Sequence, residues 1–570
     1  MGFFMPQHDR EHIIELRNSF DQRFTAMAET RTNYLPHWQQ LAQFINPREA
    51  RIGNVVDQSP GNRINQNILD PTATISVRTL KSGMMAGKTS PARPWFRFLP
   101  EDTDLAKDGA VKNWLFQVES LMRDAFAKSN LYMVLPMVYG DMAMPGTAAM
   151  RVDEDERQIF RFYPEQIGTY MTALDPYLRC DTFYREFAMT ARQVVRKYGI
   201  ENCSETIKSY MNNNQAESQI IIRHVVEYND DRKPHMPDAR NKPYRSCTYE
   251  YGQNNAMMLK QSGFDEFPVM IPRWDIFNAT DPYGYSPAMD ALGLIKGLQK
   301  EHRDKYKAIS KYVSPSMLAD ASLRTAVISL IPDGITYIDG LASQKQASMR
   351  RLEQDLPNIE HLMGDIQDIR QQIKEIFFTD MMQMLAQSDN PEMTAREVEE
   401  RHSEKVLILG PVLSRMDDEL FDPLIDRCFN IMIRRGAIPP PPQHLQGKSL
   451  KIEYTSIMDQ ALKLMGIANV EKSVQFVGGL AGMDPKALDK LDVDEAIDDY
   501  TEKMGINPRI IRSADQVKGL REIRAKQQQM AQMAQMTKPA EQAAKAGKAM
   551  GETDPEQVQQ IVRMMTGQAG

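Results

Sequence analysis

Two long helices separated by an insert constrain the fold of this chain more than any other feature. The second helix is marked by apolar residues at gaps of 3, 4, 3, 4 and 3, the heptad-like spacing of a seam that packs on another helix. These residues are Ile359, Leu362, Ile366, Ile369, Ile373 and Ile376. The pattern predicts a helix over 358–386, about 42 Å long at 1.5 Å per residue.

The other long helix precedes the insert. Ser286 is a good N-cap residue, and Pro287 suits the first helical position. The predicted helix, 286–311, is about 37 Å long. Four basic residues fall on one of its faces, at spacings of 3, 4 and 4. They are Lys300, Arg303, Lys307 and Lys311.

The remaining segments predict a mostly helical α+β fold. Helices are expected over 9–46, with a break before Pro36, over 70–87 and over 106–129. Short β-prone runs separated by turn residues predict antiparallel sheet over 146–273. A third long helix is expected to start at residue 394 and to kink at Gly410-Pro411 and at Pro423. A small helical unit follows, and then a Gln- and Met-rich tail from about residue 516.

Composition excludes several classes of protein. The 570 residues carry a net charge of −7, which argues against a surface that grips nucleic acid over a broad area. No charged region followed by an apolar run opens the chain, and no run of 18 apolar residues occurs, so neither a signal peptide nor a membrane span is expected. The four cysteines are scattered, which fits reduced thiols better than disulfides or a zinc site.

Residues 82–89 resemble a nucleotide-binding Walker A loop ending in Lys88-Thr89. Ser82 stands where the first glycine belongs, and the preceding residues have helical rather than strand periodicity. Pro91 and Pro94 also prevent a helix from continuing afterwards. We therefore expect a helix C-terminus stopped by Gly87, and no nucleotide site.

No other catalytic pattern is present. The nine histidines are dispersed, with no HExxH pair, and neither GxSxG nor GxGxxG occurs. We expect no catalytic residues, no metal site and no cofactor, so the chain is predicted not to be an enzyme.

The order of these segments resembles the head-to-tail connector, or portal, proteins of short-tailed, podovirus-type bacteriophages. Four stretches carry the resemblance: the N-terminal helix with Arg31, Tyr34 and Trp38 ending at Asn46-Pro47, residues 80–96, residues 281–287 and residues 393–398. Residues 90–96 are similar to the family's Ser-Pro-x-x-x-Trp-Phe run. Ser286 stands where glycine is common in the family, which is a departure.

The resemblance implies a subunit of a ring, usually a dodecamer, with named regions. These are a wing (1–285), a stem of two helices (286–311 and 358–386), a clip (312–357), a channel loop (387–393), a kinked wing helix (394–455), a crown (456–515) and a C-terminal barrel or disordered tail (516–570). The ring is expected at the unique capsid vertex of the virion, after assembly in the host cytoplasm. Double-stranded DNA passes through it during packaging and ejection.

The resemblance also implies partners and contact residues. The partners are further copies of the chain, the terminase large subunit, the tail adaptor, and the scaffolding and major capsid proteins. The clip residues Pro332, Asp333, Gly334 and Tyr337 are expected to dock such partners. The channel loop near DNA comprises Gln387, Ser388, Asp389, Asn390, Pro391, Glu392 and Met393. The basic stem face either lines the channel or pairs with an acidic neighbouring subunit, and neighbour pairing is favoured.

Two other functions remain open from the sequence. A coiled-coil scaffold that binds only proteins would explain the seam and the tail, but not the β-rich region or the insert. A packaging ATPase would require the Walker-like segment to bind nucleotide.

Overall fold

The computed structural model gives the fold of most of the chain. It describes residues 7–47, 52–53, 67–102, 105, 108–236, 238–252, 257–313, 317–318, 350–351, 359–387, 408–461, 476–480, 494, 497 and 517–530. The clip residues Pro332 to Gly334 and Tyr337 lie outside these ranges, as do channel-loop residues 388–393 and the tail beyond 530.

Five helices form the N-terminal part. They are α1 (Gln7–Thr32), α2 (Leu35–Ile45), α3 (Thr72–Lys88), α4 (Gly109–Lys128) and α5 (Leu131–Ala143). The predicted break before Pro36 is confirmed, because α1 and α2 are separated at residues 33–34. Asp108 begins α4 by accepting a hydrogen bond from the Ala110 amide at 2.8 Å. The predicted helix over 106–129 is therefore slightly shorter than expected.

The predicted antiparallel region forms two sheets. Its strands are β2 (Ala149–Asp155), β3 (Ile159–Glu165), β4 (Tyr170–Leu174), β5 (Cys180–Thr190), β6 (Gln219–Tyr228), β7 (Tyr244–Glu250), β8 (Lys260–Phe264) and β9 (Val269–Met270). One sheet has the order β3-β2-β9 and the other β4-β5-β6-β7-β8, all antiparallel. Two short helices, α6 (Ala191–Tyr198) and α7 (Glu205–Asn212), connect β5 to β6.

The two long helices follow. α8 spans Pro287–Val313, and α9 spans Ile359–Ile376. Between them, β10 (Met317–Leu318) pairs antiparallel with β11 (Arg350–Arg351), so the two ends of the insert lie side by side. The predicted single helix over 358–386 is divided, because Phe378 adopts φ 52° and α10 (Thr379–Gln387) starts after it.

The next two described helices adjoin the first strand. α11 (residues 408–416) is helical through Gly410-Pro411, so the helix does not break there. A distortion lies at a π-helical turn, Asp417–Phe421, directly before Pro423 and α12 (Asp422–Arg434). Pro423 has no N–H group to donate to the preceding turn. In that turn the Asp422 amide donates to the Asp417 carbonyl, the hydrogen-bond pattern of a π-helix. β12 (Leu450–Tyr454) then pairs antiparallel with β1 (Phe96–Pro100), which joins distant parts of the chain.

One large apolar core holds these elements together. It contains side chains from α2 to α5, the three-stranded sheet, α8 to α12 and β12. Smaller clusters lie under the five-stranded sheet, one against α1 and one against α6 and α7. The two long helices are thus anchored in the same core as the N-terminal helices.

Candidate functional site

The start of α8 is fixed as the sequence predicts. The Ser286 hydroxyl accepts a hydrogen bond from the Met289 amide at 3.2 Å and donates one to the Met144 carbonyl at 2.6 Å. Ser286 is fully buried, so this cap also attaches the helix to the end of α5. The α8 helix therefore begins at a rigid point inside the core.

The two halves of α8 have different surroundings. We call residues 287–302 the inner half and residues 303–313 the outer half. The inner half buries a stripe that includes Ala291, Ile295 and Leu298. None of the residues in the outer half is buried. The inner half therefore belongs to the core of the subunit, while the outer half projects from it.

The predicted basic face lies on the solvent side of α8. Lys300, Arg303, Lys307 and Lys311 are all exposed. Within the subunit, Lys307 Nζ lies 3.4 Å from the carboxylate of Asp304, and both side chains remain about half exposed or more. Exposed pairs of this kind contribute little to stability, about 0–1 kcal/mol. Lys300, Arg303 and Lys307 thus extend into solvent, where another surface can contact them.

Large apolar side chains accompany these basic groups. Tyr306 and Tyr312 are each 55% exposed and Val313 is 75% exposed, and Ile309 is also exposed. Single exposed apolar residues are common, but a cluster at the end of one helix indicates an interaction surface. The outer half thus combines positive charge with aromatic and aliphatic area.

The predicted seam on α9 faces the core. Ile366 and Ile373 are buried, and Leu362, Ile369 and Ile376 are partly buried against the same apolar cluster. The opposite side of α9 carries exposed carboxylates, among them Asp368 and Glu375. The α8–α9 pair therefore presents a basic surface on one helix and an acidic surface on the other.

A buried charge cluster ties the two helices to α3. The Asp70 carboxylate has no exposed surface and lies 2.7 Å from Arg370 Nη2 on α9 and 2.8 Å from His302 Nε2 on α8. Its other oxygen accepts from the Thr72 amide at 2.8 Å. Gln299 completes the cluster by accepting from the Asp70 amide at 2.9 Å and donating to the Asp70 carbonyl at 2.9 Å. We call these residues the Asp70 cluster.

The cluster shifts the pKa values of its members. Burial acts to raise the pKa of Asp70, but hydrogen bonds from Thr72 and Arg370 outweigh it and lower that pKa below its usual value. Burial lowers the pKa of His302, and Asp70 opposes this only in part. A neutral His302 therefore donates from Nε2 to the ionised Asp70. The sequence predicted Asp70 only as the start of the helix over 70–87, because its partners on α8 and α9 lie more than 200 residues away.

The break after α9 redirects the chain toward α3. α10 packs on α3 so closely that a Cβ on Gly83 would lie 2.7 Å from the Met382 Cα and carbonyl oxygen. Glycine is needed at this crossing because any side chain would collide with backbone. Gln387, predicted as the first residue of the channel loop, is instead the final residue of α10. The loop thus leaves from a helix fixed against α3.

The Walker-like segment is not a phosphate loop. Residues 82–88 form the last two turns of α3, which extends one residue beyond the expected stop at Gly87. The side chain of Lys88 is fully buried, with Nζ 2.7 Å from Asp417 and 2.5 Å from Asp459. It also lies 4.8 Å from the ring centroid of Tyr454. A lysine enclosed in this way cannot reach a nucleotide phosphate.

Burial raises the pKa of Asp417 to about 7, with Lys88 lowering it and Asp459 raising it further. One lysine thus faces two carboxylates, and Asp417 is the one that holds a proton near neutral pH. The group joins α3 to the π turn and to residues 456–461. Its role in the fold is structural.

The described ranges contain no group of three or more His, Cys, Asp or Glu side chains placed to hold a metal ion. No described helix is long and apolar enough to cross a bilayer. All four cysteines are free thiols, and three of them are buried.

Comparison with known proteins gives consistent matches over most of the chain. A family described as bacteriophage head to tail connecting protein matches residues 17–511. The portal protein of Salmonella phage epsilon15 is 42% identical over 526 residues, 92% of this chain and 93% of that protein. A probable portal protein of Bordetella phage BPP-1 is 39% identical over 507 residues, 89% of this chain and 91% of that protein. A chain from the virion of a native gene transfer agent particle aligns over 72% of this chain and 86% of that chain, with a TM-score of 0.34 and 10% identity, too low to support an argument.

Proposed function

Because this chain belongs to the bacteriophage head to tail connecting proteins, the portal family, we propose that copies of it close into a ring around a DNA channel. The ring is proposed to have twelve subunits and to occupy one vertex of the capsid. The role is structural, and neither a catalytic group nor a cofactor is required. The observation that carries the proposal is the outer half of α8, where large apolar side chains are exposed beside basic ones.

The outer half of α8 exposes apolar side chains that contact with another protein surface would bury. Tyr306, Ile309, Tyr312 and Val313 are exposed beside the basic residues. In a closed ring, a head-to-tail contact places one face of a subunit against a different face of the next. Every copy then covers the outer half of its neighbour.

Charge complementarity supports α9 of the next subunit as the covering surface. Lys300 and Lys307 are seven residues apart on α8, and Asp368 and Glu375 are seven residues apart on α9. Two helices with charges at the same interval can pair along their lengths. This arrangement favours neighbour pairing of the basic face over a position lining the channel.

The channel itself must let DNA slide. Each strong contact with phosphate adds salt-dependent affinity, so a lining rich in Lys and Arg would hold the DNA. The proposed channel loop, residues 387–393, has no Lys or Arg and includes Asp389 and Asn390. It follows α10, which is held against α3 at Gly83. In this proposal the loop approaches DNA without gripping it.

The insert between α8 and α9 is proposed to dock partners. The pairing of β10 with β11 holds its two ends together, which supports a compact unit at the end of the helix pair. We propose that the insert binds the packaging motor, the terminase large subunit, during packaging and binds the tail adaptor later. Pro332, Asp333, Gly334 and Tyr337 are its proposed contact residues. Scaffolding and major capsid proteins are proposed to contact the body of the subunit.

Negative-stain imaging of the purified full-length chain tests the ring. We expect closed rings with a central hole. Elongated dimers would contradict the proposal and support a coiled-coil scaffold.

Deletion of residues 387–393 tests the position of the channel. We expect rings to form and infected cells to yield capsids that package or retain little DNA. A Gly/Ser segment of the same length is the control for the lost span. Failure of the deletion variant to form rings, with the Gly/Ser variant intact, would show that the loop is an assembly contact instead.

The packaging ATPase alternative is tested at Lys88. We expect no ATP turnover in the wild type and a destabilised fold in Lys88→Ala, because two buried carboxylates lose their partner. Lys81→Ala, on the same helix, serves as the control. An ATPase activity lost in Lys88→Ala and kept in Lys81→Ala would restore the nucleotide-binding interpretation.

A further inference from the structure

A cavity of about 330 Å³ lies beside the five-stranded sheet, far in sequence from the long helices. Strands β5 to β8 form its floor, and α6, β2 and α12 contribute its walls. Seven Lys or Arg side chains line it, against three Asp or Glu. An excess of four positive side chains is unusual in a chain whose net charge is −7.

The register of the sheet creates this concentration. Arg185 on β5 is paired with His224 on β6, His224 with Thr248 on β7, and Thr248 with Lys260 on β8. Directly paired residues share one face of a sheet, so the four side chains form a row across four strands. Lys197 approaches this row from α6.

Neighbouring carboxylates neutralise only part of this charge. Glu165 lies 2.5 Å from Arg185 and 3.3 Å from Arg151. Glu266 likewise pairs with both α12 arginines of the cavity, and Asp265 pairs with Lys242. In the described part of the chain, no carboxylate forms an ion pair with Lys197 or Lys260. The positive charges of these two lysines are therefore not compensated by an ion pair within that part of the chain.

The positive groups also act on one another. Partial burial, followed by the charges of Arg151, Arg185 and Lys260, lowers the pKa of Lys197. Burial and then the same cations hold the pKa of His224 well below its usual value, so its imidazole is neutral. Like charges this close are unfavourable without a compensating anion.

The neutral imidazole orients a hydroxyl in the cavity. Arg185 Nε donates to His224 Nδ1 at 3.2 Å, which places the imidazole proton on Nε2. Nε2 then donates to the Ser246 hydroxyl oxygen at 2.9 Å. The proton of the Ser246 hydroxyl is consequently available to an acceptor. Ser246 lines the cavity and is buried.

We propose that this cavity binds a phosphate-type oxyanion, with Lys197 and Lys260 as its charged contacts and Ser246 as a hydroxyl donor. Tetrahedral oxyanions accept several hydrogen bonds at once and are bound by converging cations and hydroxyls. The phosphate is either free or carried on a nucleic acid backbone. The cavity is too small to admit a duplex.

Calorimetric titration of the full-length protein with inorganic phosphate tests the site, in chloride buffer of matched ionic strength. We expect saturable binding by the wild type and at least tenfold weaker binding by the double variant Lys197→Gln/Lys260→Gln. Both lysines are exposed, so the fold and the assembly state should be unchanged. The control, Lys112→Gln/Lys448→Gln, removes the same charge from exposed positions elsewhere and should bind phosphate as the wild type does.

Absence of saturable binding by the wild type would overturn the proposal, and so would equal affinities in the two double variants. Competition with a single-stranded oligonucleotide then identifies the source of the phosphate. Displacement of phosphate by the oligonucleotide supports a nucleic acid ligand at this site. Lack of displacement supports free phosphate or a small phosphorylated solute.

Discussion

The two halves of α8 belong to one continuous helix but differ in how much of their surface the rest of the subunit contacts. The inner half is fixed by the Ser286 cap, by an apolar stripe and by the Asp70 cluster, all within one subunit. The outer half has no buried residue and exposes apolar area beside basic groups. The same helix thus has one half that packs in the core of the subunit and one half that is exposed.

This difference separates folding from assembly. Substitutions at buried positions of the inner half should change the free energy of unfolding of each subunit. Substitutions in the outer half should leave that free energy nearly unchanged and should change only the association of copies.

The largest effect is expected for Asp70→Ala. Arg370 would then be left without its carboxylate in a largely buried site, which costs about 3–5 kcal/mol of unfolding free energy. Asp304→Ala, in the outer half, should change it by less than about 0.5 kcal/mol. Urea unfolding of both variants at low protein concentration makes the measurement. Equal, small effects would show that the Asp70 cluster does not hold the helices.

Substitution of one isoleucine in each half allows a direct comparison of the two halves. Ile295 is fully buried and Ile309 is 37% exposed on the same helix. We expect Ile295→Ala to lower the unfolding free energy by about 2–5 kcal/mol, because it leaves a cavity in the core. Ile309→Ala should cost less than about 0.5 kcal/mol but should reduce ring formation. If Ile309→Ala also destabilised the isolated subunit strongly, the distinction between the halves would fail.

The smallest effect concerns pH. Folding holds the pKa of His302 below its usual value, so between that lowered pKa and about 6.5 the unfolded chain binds more protons. The stability that neutral His302 contributes is fully present above about pH 6.5, and it is lost as the pH falls through the pKa of His302 in the folded protein. His302→Gln keeps a donor to Asp70 but does not titrate, so its loss of stability on acidification should be smaller than that of the wild type in urea unfolding across this pH range.

The sequence predicted local features of the site well. The Ser286-Pro287 start and the α9 seam each depend on residues close together in the chain, and the structure shows both. The family resemblance, carried by short motifs in a fixed order, is confirmed by the matches to portal proteins.

The features that the sequence did not predict depend on distant partners. The break at Phe378 separates α9 from the helix that packs against Gly83, and no residue near it signals a turn. Asp70 meets Arg370, and Lys88 meets Asp417 and Asp459, across roughly 300 residues of chain or more. Periodicity and capping rules describe neighbours in sequence, so they cannot identify such buried ion pairs.

The most direct test of the account exchanges charge between α8 and α9 and measures the fraction of chains in rings by mass photometry. Lys300→Glu/Lys307→Glu and Asp368→Lys/Glu375→Lys should each reduce that fraction, because like charges then face each other between subunits. The account predicts that all four substitutions together restore rings toward the wild-type level. Rings that withstand either reversal, or that stay lost in the combined variant, would contradict the pairing of α8 with α9 of the next subunit.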